Sequence, residues 1–341
     1  MEICGHNLLG AVPYLDRQAR LVTTEMVKQA PVVNKTLTQK LSALLDNMNR
    51  VLVGQSRSVK LAATAFLAGG HVLLEDVPGV GKTLLAKTLA KSVTATFKRI
   101  QCTPDLLPSD ISGVSIYNQK DSSFSFVPGP IFTNILLADE INRATPRTQS
   151  SLLEAMEEAQ VTIEGETRGL PELFFVIATQ NPIEYHGTFP LPEAQLDRFM
   201  ASLSLGYPQP DEEILMLAKT LEEGAFDVSP VLSVEEVLEA RVRARQVFVE
   251  ESIQRFIVDI VNATRDHPQI VLGVSPRGSQ LLMRAAQAAA LLEERDFVKP
   301  EDVKLLAPHV FGHRIIPRQR DNKVSHGEVI ERVLEQICVP I

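Results

Sequence analysis

At 341 residues the chain exceeds one typical domain, and 45% hydrophobic against 22% charged residues is the balance of a soluble globular protein with a sizeable core. Its net charge of −8 argues against a dedicated nucleic-acid binder, because neutralising phosphates demands a basic surface. Cys4, Cys102 and Cys338 stand far apart without metal-ligand pairing, which fits plain thiols of a reducing compartment better than a disulfide framework.

Residues 1 to about 35, interrupted by Pro13 and Pro31, carry little pattern and are expected to form an extension. Glu2 stands where a secretory signal would be positive, and no apolar run is long enough to cross a bilayer, so the expectation is a cytoplasmic protein without membrane insertion. From Thr36 the apolar period becomes helical, with Leu37, Leu41, Leu44, Leu45, Met48 and Val51 on one face, and the segment closes at Val53-Gly54-Gln55. A second helix from about Ser56 to Ala68 stops at Gly69-Gly70, ahead of the short β-leaning run His71-Val72-Leu73-Leu74.

The segment Glu75-Asp76-Val77-Pro78-Gly79-Val80-Gly81-Lys82-Thr83 follows that strand and opens a helix in which leucines and alanines recur at helical spacing as far as Lys91. Backbone N–H groups at such a helix start face an anion. Gly79 and Gly81 let the backbone curl, Lys82 brings positive charge to the β and γ phosphates of ATP, and the Thr83 hydroxyl suits Mg²⁺. The full pattern asks for glycine where this chain has Asp76, the position that touches phosphate least. The candidate nucleotide-binding set is Gly54, Pro78, Gly79, Val80, Gly81, Lys82, Thr83 and Leu84. A tight turn before an ordinary helix is the alternative reading.

Phe97 to Gln101 reads as a second strand, and Pro104 and Pro108 frame a short helical turn. Ser115-Ile116-Tyr117 and Phe124 to Val127 read as an exposed hairpin. Asn134 to Glu140 is an apolar run ending in two carboxylates, the pattern of a central parallel strand. Thr148 to Gln160 reads as an acidic amphipathic helix, Val161 opens a second hairpin, and Leu173 to Ala178 is a further buried strand ending in Thr179-Gln180-Asn181-Pro182. Strands alternating with helices predict a parallel α/β sheet, and from about Tyr207-Pro208 the strand signals give way to helices. His309 and His313 are four apart but separated by Gly312 without a helping carboxylate, so they read as surface or core histidines rather than a metal site.

Phosphoryl transfer needs a metal, an oriented water and cations at the γ-phosphate. Asp139, at the carboxyl edge of its strand, is placed to hold Mg²⁺ through its water shell, and Glu140 to polarise the attacking water. A helix cap is the alternative for this carboxylate pair. Asn181 offers a neutral amide to water or the γ-phosphate, against the alternative of a plain Asn-Pro turn.

The run Leu136 to Ala144, then Pro146-Arg147-Thr148-Gln149 and Leu153 to Glu158, resembles the MoxR family of AAA+ ATPases. Ala178 to Glu184 and Leu191 to Phe199 reinforce the resemblance, which extends from about Thr36 to Phe311. It implies an N-terminal extension (1–35), an α/β AAA+ P-loop nucleotide-binding domain with parallel sheet and two hairpin insertions (36–206) and an all-helical lid (207–341). Lys82 and Thr83 match Walker A, Asp139 and Glu140 Walker B, and Asn181 sensor 1. Arg198 matches the arginine finger that reaches a neighbouring subunit's ATP; a salt bridge to Asp197 or another acid is its plainer reading. Arg277 matches sensor 2, acting in cis or in trans, and its setting suits a rigid arginine because Ser275 can cap a helix that Pro276 begins.

The resemblance further implies ATP and Mg²⁺ as cofactors and a homo-oligomeric ring, expected as a hexamer. It implies a chaperone-like ATPase that remodels or matures a client, one with a von Willebrand factor A domain or a metal cofactor. The hairpin near Ser115 to Val127 would be the helix-2 insert and that from Val161 the pre-sensor-1 insertion, lining a pore or facing substrate. A nucleic-acid-stimulated motor is the alternative, disfavoured by the net acidity, and a non-hydrolysing nucleotide switch is a third reading, disfavoured by Glu140.

Overall fold

The computed structural model describes residues 35–120, 122–181, 187–220, 228–318 and 325–340. The expected extension apart from Lys35, Cys4 within it, and the Pro182-Ile183-Glu184 part of the motif after Asn181 lie outside these ranges.

Helices α1 (Lys35–Val51) and α2 (Ser56–Leu67) precede strand β1 (His71–Glu75) and α3 (Lys82–Ser92). Next come β2 (Phe97–Gln101), α4 (Pro108–Ser112), the hairpin of β3 (Gly113–Asn118) and β4 (Ser123–Pro128), and β5 (Ile135–Asp139). Helix α5 (Pro146–Glu158) is followed by the hairpin of β6 (Gln160–Ile163) and β7 (Glu166–Gly169), then by β8 (Phe175–Gln180), α6 (Glu193–Leu196) and β9 (Phe199–Leu203). The remainder is α7 (Pro210–Thr220), α8 (Val234–Gln246), α9 (Glu251–Asp266), β10 (Ile270–Leu272), α10 (Pro276–Leu292), α11 (Pro300–Phe311), β11 (Ile316–Pro317) and α12 (His326–Glu335).

The main sheet runs in the order β2-β5-β8-β1-β9, with every pairing parallel. Buried on both faces, its central strands are apolar throughout rather than alternating. Their side chains still divide with period two. In β1, Val72 and Leu74 join one core with α1, α2 and α3, while Leu73 joins the other with α5 residues Leu152, Leu153 and Met156. The helices after β9 share the first core through Val237, Phe256, Ala286, Val303 and Val310, so the lid is packed continuously with α1 and α2.

Two features depart from the sequence reading. β9 is a fifth strand that the reading left unassigned, although Phe199-Met200-Ala201 is apolar and buried. In the lid, β10 and β11 pair antiparallel, Ile270 with Pro317 and Leu272 with Ile316, so helices dominate there without being the sole element. Strands of three and two residues are too short to leave a periodic signal.

His71 ties the strand layer to the end of α5. Its Nδ1 accepts from the Val176 N–H at 3.0 Å and its Nε2 lies 3.1 Å from the Met156 carbonyl oxygen. Burial holds the imidazole neutral and lowers its pKa from 6.5 to about 4. Between those values the unfolded chain binds a proton that the native state refuses. Stability from this group is therefore complete above pH 6.5 and is lost as pH falls towards 4, by about 3 kcal/mol in all. Urea unfolding measured across that range should show a shallower acid loss for His71→Gln than for the wild type, and parallel slopes would refute the assignment.

Candidate active site

The carboxyl edge of the sheet opens into a cavity of about 430 Å³. The loop after β1 and the start of α3 contribute Pro78, Gly79, Gly81, Lys82, Thr83 and Leu84 to its wall. β2 contributes Arg99 and Gln101, the end of β5 Asp139 and Glu140, and the end of β8 Asn181. Gly79 (φ +90°) and Gly81 (φ +102°) both occupy the left-handed region that side chains resist. A Cβ on Gly79 would meet nothing within 4 Å, so its requirement is conformational rather than spatial. Lys82 Nζ donates to the Asp76 carbonyl oxygen at 2.9 Å, folding back along its own loop.

The two carboxylates are held from several sides. Thr179 Oγ1, fully buried, donates to Asp139 Oδ1 at 2.6 Å and accepts from the Glu140 N–H at 2.9 Å. Arg99 Nη2 donates to Asp139 Oδ2 at 2.6 Å. Gln101 Nε2 and Arg143 Nη1 donate to Glu140 Oε2 at 2.7 and 2.9 Å. Glu140 itself sits at φ +57°, an uncommon conformation for a non-glycine residue and one that clusters at functional sites. Beside them, burial and the charges of Asp139 and Glu140 push the Cys102 thiol up to about 12, so it stays protonated.

The donor set fits a hard cation with phosphate. Mg²⁺ favours one or two protein oxygens and otherwise water and phosphate, and the Thr83 hydroxyl and Asp139 carboxylate line the same cavity as the lysine and the helix start. No group of three or more His, Cys, Asp or Glu side chains among the described residues is arranged to hold a metal. His313 is buried, with Nε2 3.1 Å from the Phe199 carbonyl oxygen.

Asp76, the departure from the glycine pattern, faces away from the cavity wall and is buried. Its carboxylate accepts from Ser204 Oγ at 2.7 Å and from the N–H groups of Leu205 and Gly206 at 2.6 and 3.2 Å. The loop thereby becomes fastened to the segment that runs from β9 to the lid. Two members of the candidate nucleotide-binding set also lie off the cavity wall. Val80 packs against the core, and Gly54 (φ +76°) lies under the Glu212 carboxylate, which any side chain there would strike.

Arg198 and Arg277 do not line the cavity of their own chain. They meet on Glu157, at the end of α5: Arg198 Nε lies 3.0 Å from Oε2 and Arg277 Nη1 2.5 Å from Oε1. Arg277, hydrogen-bonded to it, and Arg198 together hold the Glu157 carboxyl below the usual range. Of the plainer reading of Arg198, a salt bridge to Asp197 or another acid, the structure shows the second form, with Glu157, while Asp197 is paired with Arg314. Ser275 caps α10 as its sequence implied, accepting from the Gly278 N–H at 3.4 Å.

The sequence reading missed Arg99, Gln101, Thr179, Glu157 and Arg314. For the first two a signal existed: polar residues alternate with Ile100, and parallel pairing sets Gln101 beside Asp139. Nothing in the spacing of Glu157 or Arg314 announces a contact with residues so distant in sequence.

The fold and the cavity define a P-loop ATPase domain followed by a lid. Comparison with known proteins gives the same result: the profile of the ATPase family associated with various cellular activities (AAA) matches residues 71–201 and that of the AAA lid domain matches residues 262–333. Chaperone MoxR1 of Mycobacterium tuberculosis is 41% identical over 309 residues, 86% of this chain and 80% of that one. Protein YeaC of Bacillus subtilis, uncharacterized, is 50% identical over 306 residues, 88% of this chain and 95% of that one. A crystal structure of a Cytophaga hutchinsonii protein provisionally assigned as an ATPase superimposes with a TM-score of 0.84 at 38% identity, covering 94% of this chain and 99% of that one. The chain belongs to the MoxR family of AAA+ ATPases.

Proposed function

We propose that this protein hydrolyses ATP to ADP and phosphate within a homo-oligomeric ring, a hexamer in the cytoplasm, and uses turnover to remodel or mature a client. One observation carries the reading: Lys82, Thr83, Asp139, Glu140 and Asn181 share a cavity, while Arg198 and Arg277 are held together outside it by Glu157. With Lys82 and Arg99 on the wall but Arg198 and Arg277 off it, the site would be completed by a second copy of the chain. Mg²⁺, when bound, would neutralise charge on the β and γ phosphates from the side of Thr83 and Asp139. Backbone N–H groups of the loop and Lys82 would hold the phosphates, Glu140 would orient and deprotonate the attacking water, and Asn181 would fix that water from β8. Arg198 and Arg277 would approach from the neighbour, both in trans.

Residues 36–206 would form the nucleotide domain and 207–341 the lid. The β3–β4 hairpin is proposed to face the client, supported by the exposure of Ile116, Tyr117 and Phe124 and by the Tyr117–Phe124 ring pair at 5.2 Å. A client with a von Willebrand factor A domain, or one awaiting a metal cofactor, suits the family. Removing the charged phosphate donor with Lys82→Ala should weaken ATP binding by about 10- to 150-fold in equilibrium titration and abolish turnover. Wild-type affinity and turnover in that variant would take the loop out of the site.

A further inference from the structure

The residues on either side of Arg198 are held by the lid as well as by the sheet, in which Phe199 pairs with His71. Arg314 belongs to the 3-10 turn Gly312–Arg314 after α11 and is 6% exposed. Its Nε donates to Asp197 Oδ1 at 2.7 Å, Nη2 to the carbonyl oxygens of Asp197 (3.0 Å) and Phe199, and Nη1 to those of Met200 (3.2 Å) and Val310. All five guanidinium N–H donors are thus spent, four of them on the stretch from Asp197 to Met200. Burial lowers the Arg314 pKa to about 10, which leaves it charged at neutral pH. Gly278, on the helix that carries Arg277, permits the fit, since a Cβ there would meet Val274 Cγ1 and stand 3.3 Å from Arg314 Cδ. Ser275 Oγ adds a second link from the lid at 3.4 Å to Asp197 Oδ2.

We infer that Arg314 is a positioning residue for Arg198: by fixing the Asp197, Phe199 and Met200 carbonyls, the lid of one subunit sets the direction in which that subunit's Arg198 leaves the chain. The inference rests on the proposal that Arg198 serves a neighbour's ATP. The site uses a planar fork of five donors, which lysine, one rotating ammonium with three donors on a flexible stem, cannot reproduce. A lid displaced by events at its own subunit's nucleotide would carry Arg198 with it, and the neighbouring site would register the displacement as a change in rate. Buried arginines also serve simply as glue, and the two roles differ in which subunit suffers.

Full-length Arg314→Lys should keep ATP affinity, measured by equilibrium titration, while kcat falls about 100-fold, the scale of a misplacement near 1 Å. Mixed with Glu140→Gln subunits, which carry an intact Arg198, it should regain turnover, because its own cradle is whole. Mixed with Arg198→Ala subunits it should regain none. Failure to recover with Glu140→Gln, or recovery with Arg198→Ala, overturns the inference. The control mixture of Arg198→Ala with Glu140→Gln tests the between-subunit reading separately: if it stays inactive, that reading falls and this inference with it. Should Arg314→Lys fail to fold, Asp197→Asn, which removes the charge partner alone, must reproduce the same pattern of recovery or the inference is wrong.

Discussion

Glu140→Gln is expected to bind ATP as the wild type does and to hydrolyse it about 10²- to 10⁴-fold more slowly, the range ascribed to a positioned general base. Glutamine nearly matches glutamate in size and retains an oxygen for the donors Gln101 and Arg143, so the wall of the cavity should survive the exchange. What disappears is the capacity to take a proton from water. The carboxylate is also well separated in role from Asp139, which Thr179 and Arg99 hold from the other side. Single-turnover assays with equilibrium binding measured in parallel would check this, and a variant turning over ATP at the wild-type rate would remove Glu140 from the reaction. Because such a variant would dwell in its ATP-bound state, it is also the form in which to seek the client by co-purification.

Arg198→Ala should retain ATP binding and lose about 10³- to 10⁵-fold in kcat, as expected for a cation that stabilises charge only in the transition state. Affinity should be spared because the charge that Arg198 would stabilise on the neighbour's nucleotide develops only in the transition state, while its own chain's cavity lacks it already. In the single chain Glu157 occupies both arginines, with Arg277 the hydrogen-bonded partner and Arg198 the second. One carboxylate between two guanidiniums leaves one positive charge in excess within this cluster, suited to the phosphates of an adjoining subunit. Removing Arg198 leaves Arg277 and Glu157 as a neutral pair, so loss of charge and loss of reach coincide. If Arg198→Ala lowered activity only in a strictly monomeric preparation, the between-subunit assignment would be wrong.

Much of the architecture was legible because its signals are local. The β5 run Ile135-Leu136-Leu137-Ala138 is apolar at every position and is buried throughout, as a central parallel strand demands. Gly79, Gly81, Lys82 and Thr83 announce a phosphate loop by identity and spacing, and they line the cavity with Asp139, Glu140 and Asn181. What escaped depends on contacts far apart in sequence. Thr179 is an ordinary strand residue until β5 and β8 lie side by side and its hydroxyl reaches Asp139. β9 escaped because its five residues, Phe199 to Leu203, are too few for their apolar pattern to separate a strand from a helix. Gly54 and Val80, also in the nucleotide set, do not line the cavity: Glu212 covers one and the core takes the side chain of the other.

The Asp76 carboxylate joins the phosphate loop to the approach to the lid. Ser204, Leu205 and Gly206 hang from it, and the same residue's carbonyl oxygen receives Lys82. Ligand affinity and lid orientation are then two readings of a single free-energy surface. Linkage requires that whatever factor ATP imposes on the affinity for a ligand of the lid, that ligand must impose on the affinity for ATP. Any such ligand would act as a nucleotide-exchange effector, and the ratio of ADP dissociation constants measured with and without it would report the coupling free energy between the two sites.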